Sequence, residues 1–157
     1  MQKITPHLWF VDNAEEAARF YASIFPDSRV DRVTPIPADT PSGPAGSVTV
    51  VEFTSSGRPS CRSRPGRSIR STTRSFMVNC ADQAEVDRYW DALLDGGTPE
   101  QCGWLKDRYG ISWQIEPAVL GEMMTDPDRG KAKRVAEALL EMVKLDIAGL
   151  KRAYEGG

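Results

Sequence analysis

Three side chains in strand-like segments could take part in binding or chemistry: His7, Glu52 and Gln114. Glu52 interrupts the apolar run VVEFT, and Gln114 interrupts SWQIEP. An imidazole, a carboxylate and an amide that converge on one point could bind a divalent metal ion or orient a polar substrate. A buried carboxylate without a partner costs free energy, so Glu52 needs one if it faces inward. The alternative is that each of these side chains faces solvent on the outer side of its sheet.

Two tryptophans lie close to these residues in the sequence. Trp9 follows His7 by two positions, and Trp104 precedes Gln114 by ten. Their indole rings could line a cavity for a flat or apolar ligand. They could equally belong to the core or to a dimer interface, and the sequence leaves both interpretations open.

The composition excludes several classes of protein. The 157 residues carry a net charge of -2, which gives no electrostatic reason to expect nucleic acid or an anionic membrane as partner. No run approaches eighteen apolar residues, and the N-terminus MQKITPHLWF lacks the pattern of a secretory signal. Cys61, Cys80 and Cys102 show no CxxC spacing, which favours reduced thiols over a disulfide framework or a zinc site. We therefore expect one cytoplasmic domain.

Hydrophobic periodicity predicts the elements that must position the candidate residues. Asn13 and Asp82 each precede an amphipathic run and have Glu at the third helical position, as in a capping box. Gly96 and Gly97 are typical of a helix end, and Asp107 to Gly110 are typical of a hairpin turn. The predicted strands are 3–10, 28–34, 47–54, 75–80 and two within 104–117, and the predicted helices are 13–25, 82–95 and 130–154.

The two halves of the chain are similar to each other. A shift of 69 residues places Asn13 on Asp82 and Leu8 on Met77. The same shift aligns Arg19-Phe20-Tyr21 with Arg88-Tyr89-Trp90. Any two amphipathic helices share some of this agreement, but the ungapped match of cap, arginine and paired aromatics favours an internal duplication. The sequence therefore predicts two modules, about 1–70 and 75–120, followed by a long C-terminal helix.

Several motifs resemble one superfamily. The segments TPHLWF, NAEEAARFY, EVDRYWDAL, CGWLKDRYGISWQI and MVKLDIAGLKRAY resemble the vicinal oxygen chelate superfamily, which includes glyoxalase, bleomycin-resistance protein and dihydroxybiphenyl dioxygenase. Within it they look like the branch named 3-demethylubiquinone-9 3-methyltransferase-like, or PhnB-like. The resemblance implies an α+β fold of two βαβββ modules with cupped mixed sheets, and a homodimer. It covers residues 1–54 and 75–155.

The resemblance also implies where a metal would bind. In metal-dependent members, four side chains from the first and last strands of both halves hold one divalent ion, which acts as a Lewis acid. Matching the family pattern places Glu52 and Gln114 at the last-strand positions, and Pro6 and Ser75 at the first-strand positions. Proline cannot ligate through its side chain, and His7 lies one residue away, on the opposite face unless a bulge rotates it. The metal site is therefore degenerate, with Glu52, His7 and Gln114 as its candidates, and a divalent metal is its only implied cofactor.

Residues 55–74 depart from the family pattern. The segment has no acidic residue, and it contains six arginines, at positions 58, 62, 64, 67, 70 and 74. It could be a basic loop for phosphate or nucleic acid, a solvated insertion, or the product of a shifted reading frame. We favour the third hypothesis, because GC-rich codons for Ser60 to Ser75, read in another frame, can give approximately FLPLAAGPIDSFNDAFSF. That peptide restores an apolar strand, and the arginines would then have no functional meaning.

Three functions remain open. The first is a glyoxalase-type lyase, isomerase or dioxygenase, and the second is a metal-free small-molecule binding protein of the resistance type. The third is the methyltransferase of the family name. We consider the third less favoured, because a nucleotide-like cofactor usually sits on a Gly-rich turn after the first strand of a parallel βαβ sheet. Here the first strand leads to VDNAEE.

Overall fold

The computed structural model describes residues 7–10, 13–37, 39, 44–47, 49–56, 58–63 and 75–157; for His7, Trp9 and 58–63 the description covers the backbone. The chain divides into two compact units, Met1–Thr72 and Thr73–Gly157. Each contains a four-stranded mixed sheet and at least one helix, which confirms the predicted α+β class. The predicted modules 1–70 and 75–120 are close to these units, and the second unit extends beyond its module.

The first unit has the βαβββ order. Its elements are β1 (His7–Trp9), α1 (Ala14–Ile24), β2 (Arg29–Pro35), β3 (Thr49–Ser55) and β4 (Arg58–Ser63). The strands lie in the order β1-β4-β3-β2, with β1 parallel to β4 and the other neighbours antiparallel. Helix α1 packs on β3 and buries Ala17 and Tyr21 against the sheet. The predicted strand 3–10 is described only in part.

Two expectations for the first unit are wrong. Asn13 adopts a left-handed backbone with φ 62°, and its side chain makes no capping hydrogen bond, so the first predicted capping box does not form. The segment after Ser55 was expected to break the pattern, yet Arg58–Ser63 forms β4 between β1 and β3. The position in the sheet overrides the weak strand propensity of these residues.

The second unit repeats the same order and adds three helices. Its elements are β5 (Ser75–Cys80), α2 (Gln83–Leu94), β6 (Thr98–Pro99), β7 (Trp104–Lys106), β8 (Ser112–Pro117), α3 (Ala118–Met124), α4 (Arg129–Glu141) and α5 (Ile147–Glu155). The sheet order is β5-β8-β7-β6, with β5 parallel to β8. Helix α2 packs on β7 and β8.

The local signals of α2 are confirmed. The Asp82 carboxylate accepts from the Glu85 backbone N–H at 2.9 Å, and the Glu85 carboxylate accepts from the Ala81 N–H at 2.9 Å. The Glu85 N–H is a donor that the first helical turn leaves unpaired, whereas the Glu85 carboxylate bonds Ala81, one residue before the N-cap that it would contact in a standard capping box. Gly96 follows the helix with φ +73°, the left-handed conformation that glycine adopts at little cost. Asp107 to Gly110 form the predicted turn between β7 and β8.

The predicted C-terminal helix is present but is not continuous over 130–154, because the chain leaves the helical conformation between α4 and α5, where Met142 and Asp146 are extended. Asp146 ends this break and caps α5 by accepting from the Ala148 and Gly149 N–H groups. The extended segment pairs with the chain before β7, since the Cys102 and Gly103 N–H groups donate to the Met142 and Val143 carbonyls at 2.7 and 2.8 Å. Helices α3 to α5 enclose their own apolar cluster, formed by Leu120, Met123, Val135, Leu145 and Leu150.

The internal repeat is looser in the strands than in the helices. Leu8 is buried, whereas Met77, its partner in the ungapped comparison, is 54% exposed. Strand alternation instead matches Leu8 with Val78, so the connection before α1 is one residue longer than the connection before α2. No helix among the described residues is long and apolar enough to cross a membrane.

Candidate ligand-binding site

Glu52 lies on the sheet face of the first unit that points away from α1. In β3, Val51 and Phe53 are buried on the side where α1 packs, and Glu52 alternates to the other side. A bulge in β2 between Val30 and Arg32 brings Arg32 opposite Glu52, and their side chains form an ion pair at 3.5 Å. Glu52 is therefore an exposed, paired carboxylate, with 48% of its side chain accessible.

The strand that carries Glu52 is the third of its unit. The expected last-strand position is wrong, because β4 follows β3 and lies between it and β1. Gln114, by contrast, lies in β8, the fourth strand of the second unit. The two residues therefore do not occupy equivalent positions. In the backbone register, His7 and Glu52 are both paired with Cys61, so these three residues form one cross-strand row.

In the second unit, Gln114 lies on the sheet face opposite α2. Trp113 and Ile115 are buried on the α2 side, and Gln114 alternates to the other side, where it is half-buried. It is in register with Met77 on β5 and with Trp104 on β7. We call this side of the second sheet the open face, formed by Ser75, Met77, Asn79, Trp104, Lys106, Ser112, Gln114 and Glu116.

The open face is ordered in three rows. The middle row, Met77–Gln114–Trp104, places one amide between an aliphatic and an aromatic side chain. One flanking row is Ser75–Ser112–Lys106, and the other contains Asn79 and Glu116. Successive residues on one face of a strand are about 6.6 Å apart, so the outer rows are about 13 Å apart. Charge is thus confined to the two ends of a largely neutral surface.

Glu116 is the half-buried acid of this face. Burial raises its pKa above the ordinary value. Lys106, in the row at the other end, is exposed and lies 3.9 Å from the Glu100 carboxylate. The two ends therefore differ in charge and in access to solvent.

Asp107 holds the hairpin that presents Gln114, although its pattern predicted only a turn residue. Its carboxylate is 4% exposed and accepts from the Tyr109 and Ile111 N–H groups at 2.9 and 3.0 Å. The Trp113 indole N–H donates to its second oxygen at 2.8 Å. Trp113 precedes Gln114, so these bonds fix the register in which Gln114 reaches the open face. The spacing of Asp107 and Gly110 in a turn is the signal that identifies the hairpin.

Cys80 is not an activated nucleophile. Burial raises the pKa of the Cys80 thiol to about 11, which keeps it protonated at neutral pH. Cys102 is half-buried, and the side chain of Cys61 lies outside the described residues. Among the residues whose side chains are described, Cys80 and Cys102 form no disulfide.

The described side chains do not fit a divalent metal centre. Among them, no group of three or more His, Cys, Asp or Glu is close enough to hold an ion. Glu52 is already paired with Arg32, and Gln114 is a neutral amide. Ser75 is exposed at the start of β5, while Pro6 and the side chains of His7 and Trp9 lie outside the described residues. No catalytic step is therefore assigned to a metal here.

Comparison with known structures shows the fold. The PhnB protein of Bacillus cereus has 28% identity over 74% of this chain and 100% of its own, with a TM-score of 0.62. The fosfomycin resistance protein FosX of Mesorhizobium loti has 13% identity over 80% of this chain and 100% of its own, with a TM-score of 0.56. FosX of Listeria monocytogenes, in complex with Mn(II) and 1S,2S-dihydroxypropylphosphonic acid, has 15% identity over 74% of this chain and 93% of its own, with a TM-score of 0.51. No curated protein matches the sequence.

Two βαβββ units in one chain are the architecture that the resemblance to the vicinal oxygen chelate superfamily implied, and FosX shares this fold. The sequence profile of one family within it, described as 3-demethylubiquinone-9 3-methyltransferase, matches residues 2–116. The chain belongs to that family. Helices α3 to α5 follow the matched residues.

Proposed function

We propose that this protein binds a small organic molecule on the open face of its second sheet. The observation that carries the proposal is the row Met77–Gln114–Trp104, in which an amide stands between two apolar side chains that are not fully buried. Binding sites for small molecules combine apolar contact area with a few placed polar groups. Met77 and Trp104 supply the contact area, and Gln114 supplies a donor and an acceptor.

The binding experiment is a screen of small organic molecules by thermal shift, followed by NMR on the ligands that raise Tm. We expect bound ligands to shift the Trp104 indole and Gln114 side-chain amide signals, assigned with Trp104→Phe and Gln114→Ala. Gln114→Ala should weaken binding by about fivefold or more, the usual effect of one lost hydrogen bond. Gln101→Ala, which removes an exposed amide off the open face, is the matched control. Shifts confined to other surfaces would contradict the proposal.

A second candidate function is metal-dependent chemistry of the glyoxalase type. The backbone row His7–Cys61–Glu52 favours it, because the register places a histidine, a cysteine and a glutamate side by side on three strands. The Mn(II) in the Listeria FosX complex shows that a chain of this fold can hold such an ion. We rank metal-dependent chemistry second, because the described side chains supply too few potential metal ligands at one place.

Metal analysis of the purified protein separates the two candidates. We expect well under one equivalent of nickel, zinc, iron or manganese per chain. Stoichiometric metal that is lost in Glu52→Gln would contradict this expectation and favour the enzyme. Glu15→Gln is the matched control, because Glu15 is also a carboxylate paired with an arginine, Arg19, at 2.6 Å.

A further inference from the structure

Glu116 is a polar residue of the open face that lies outside the row Met77–Gln114–Trp104. It follows Gln114 by two positions on β8 and therefore lies on the same side of the sheet. Its neighbour in register is Asn79, at the end of β5. The residues on either side of it in the chain, Ile115 and Pro117, are buried on the α2 side. The position of Glu116 is thus fixed by the same alternation that presents Gln114.

The Glu116 carboxylate is half-buried and forms no hydrogen bond or ion pair with any residue whose side chain the structure describes. Removing a carboxylate from water without a compensating partner costs free energy. Other acids of the second unit have such partners: Asp107 accepts three hydrogen bonds, and Asp87 pairs with Lys144 at 2.8 Å. Glu116 therefore retains an unused capacity to accept hydrogen bonds at the edge of the proposed contact surface.

The distance from Glu116 to the middle row defines the ligand it would suit. A flat apolar group placed on Met77 and Trp104 would lie about 6.6 Å from the Glu116 row, one step along the strands. A nitrogen on a one-carbon arm lies about 2.5 Å from the ring, and a hydrogen bond of about 2.8 Å to the carboxylate covers most of the remaining distance. The positive charge of that nitrogen would match the carboxylate. Asn79, across the register, offers an amide oxygen to the same nitrogen. At the opposite end, Lys106 would repel a second positive charge.

We propose that Glu116 determines the specificity of the open face and selects ligands that combine a flat apolar group with a protonated amine. The inference rests on the proposed function, since it presumes that the open face binds small molecules. A charge-assisted hydrogen bond from the ammonium group to the carboxylate would supply the discrimination. Ligands of equal shape without the positive charge would leave the carboxylate desolvated and unpaired, and would bind more weakly.

The experiment uses three probes of one shape and different charge: 1-naphthylmethylamine, 1-naphthalenemethanol and 1-naphthoate. Their Kd values are measured by NMR titration of the full chain, followed at the Trp104 indole signal. We expect the amine to bind the wild type about tenfold more tightly than the alcohol, and the carboxylate to bind most weakly. Glu116→Gln should reduce amine affinity about tenfold and leave alcohol affinity within about twofold. Glu116→Lys should make naphthoate the preferred probe.

Glu122→Gln is the matched control, because Glu122 is an exposed carboxylate on α3 and its neutralisation should change none of the three Kd values. If all three probes bind the wild type equally well, or if Glu116→Gln leaves the preference for the amine unchanged, the assignment of Glu116 is wrong while the proposed function stands. If no probe shifts the Trp104 signal, both the assignment and the proposed open-face function are contradicted. Thermal melts of each variant show whether a loss of binding reflects a loss of folding.

Discussion

At the scale of single residues, Asp107 is the described polar group from which we expect the largest effect on stability. It is buried, and its carboxylate satisfies two backbone N–H groups and one indole N–H. Asp107→Ala would leave all three donors without this acceptor, and we expect the free energy of unfolding to fall by about 2–4 kcal/mol. Urea denaturation measures the change. Asp95→Ala, which removes an exposed partner of Arg108, should cost less than about 1 kcal/mol, and an equal loss in both variants would contradict this account.

The sheet face of a candidate residue was easier to predict than its strand. Gln114 lies between two apolar residues that are buried, so simple alternation places it on the open face. Glu52 obeys the same rule, but the match of VVEFT to the family pattern predicted a last strand for it, whereas the residues Arg58–Ser63 form a further strand. Nothing in those residues indicates a strand. Glu116 was overlooked because the charge at the end of an apolar run resembles an ordinary solvated strand end.

At the scale of elements, β4 is the strand whose sequence fits its place least well. It is central in its sheet, between β1 and β3, yet Pro59 within it has no N–H to donate and serine and arginine are weak strand formers. This mismatch agrees with the reading-frame hypothesis, which stays a hypothesis until tested. Residues 64–74 of the segment lie outside the described residues.

We predict that replacing residues 60–74 with the peptide of the alternative frame raises Tm by several degrees, because it puts apolar residues into a central strand. Differential scanning calorimetry of the two chains measures the shift. A replacement that keeps the native composition of 60–74 in scrambled order controls for the substitution itself. The hypothesis would be wrong if the native version melted higher and bound nucleic acid with a strong dependence on salt.

Short-range signals identified the capped helix α2 but not the break between α4 and α5. The Asp82–Glu85 pair acts within one turn, so its outcome depends little on the rest of the molecule. The break depends on distant contacts: Met142 and Val143 pair with Cys102 and Gly103, which competes with a continuous helix. Asp146, an effective N-cap in the middle of the apparent helix, was the available signal for the break.

Lys144, in the break, holds this segment against α2. Its ammonium group lies 2.8 Å from Asp87 and 3.3 Å from Asp91. The hydrogen bond from Lys144, helped by one from Gln83, lowers the pKa of Asp87. Burial alone would lower the pKa of Lys144, but the two carboxylates outweigh it and raise that pKa. The ion pair is therefore fully formed only between the pH at which Asp87 becomes protonated and the pH at which Lys144 loses its proton.

We predict that Lys144→Met lowers Tm by about 1 to 3 °C at pH 7. A carboxylate whose pKa is lowered by folding stabilises the protein above its ordinary pKa of 3.8, and this stabilisation disappears as the pH falls through the lowered pKa. An amine whose pKa is raised contributes below 10.5, and its contribution disappears as the pH rises through the raised pKa. The difference from wild type should thus shrink as the pH falls below 3.8 and vanish below the lowered pKa of Asp87. Lys133→Met, which breaks an exposed pair within α4, should show a smaller effect at pH 7.

At the scale of the whole molecule, the family name and the architecture suggest different functions. The family is described as a methyltransferase, whereas both described sheets are mixed and follow the βαβββ order. Cofactors with a nucleotide part usually bind at the carboxyl ends of parallel strands joined by crossover helices. Calorimetry with S-adenosylmethionine tests the name directly, and we expect no binding.

We predict that the protein is a homodimer in solution. The resemblance to the superfamily motivates this expectation, and the exposed Leu140 and Val143 near the end of α4 add apolar surface that an association could cover. Leu140→Lys should then shift the equilibrium towards the monomer, and Lys133→Glu, on the same helix, should not. Sedimentation velocity at high micromolar concentration measures the mass. A wild-type monomer under those conditions would contradict the prediction.

The backbone bonds from Cys102 and Gly103 to the Met142 and Val143 carbonyls have a consequence for hydrogen exchange. These two amides lie in a connection before β7, where solvent would ordinarily replace their protons within seconds. Their protection instead depends on a segment about forty positions later in the chain, so they should exchange in step with the amides of α4 and α5 and not with their sequence neighbours. Two loop amides would thus report, without any added label, whether the C-terminal helices are docked.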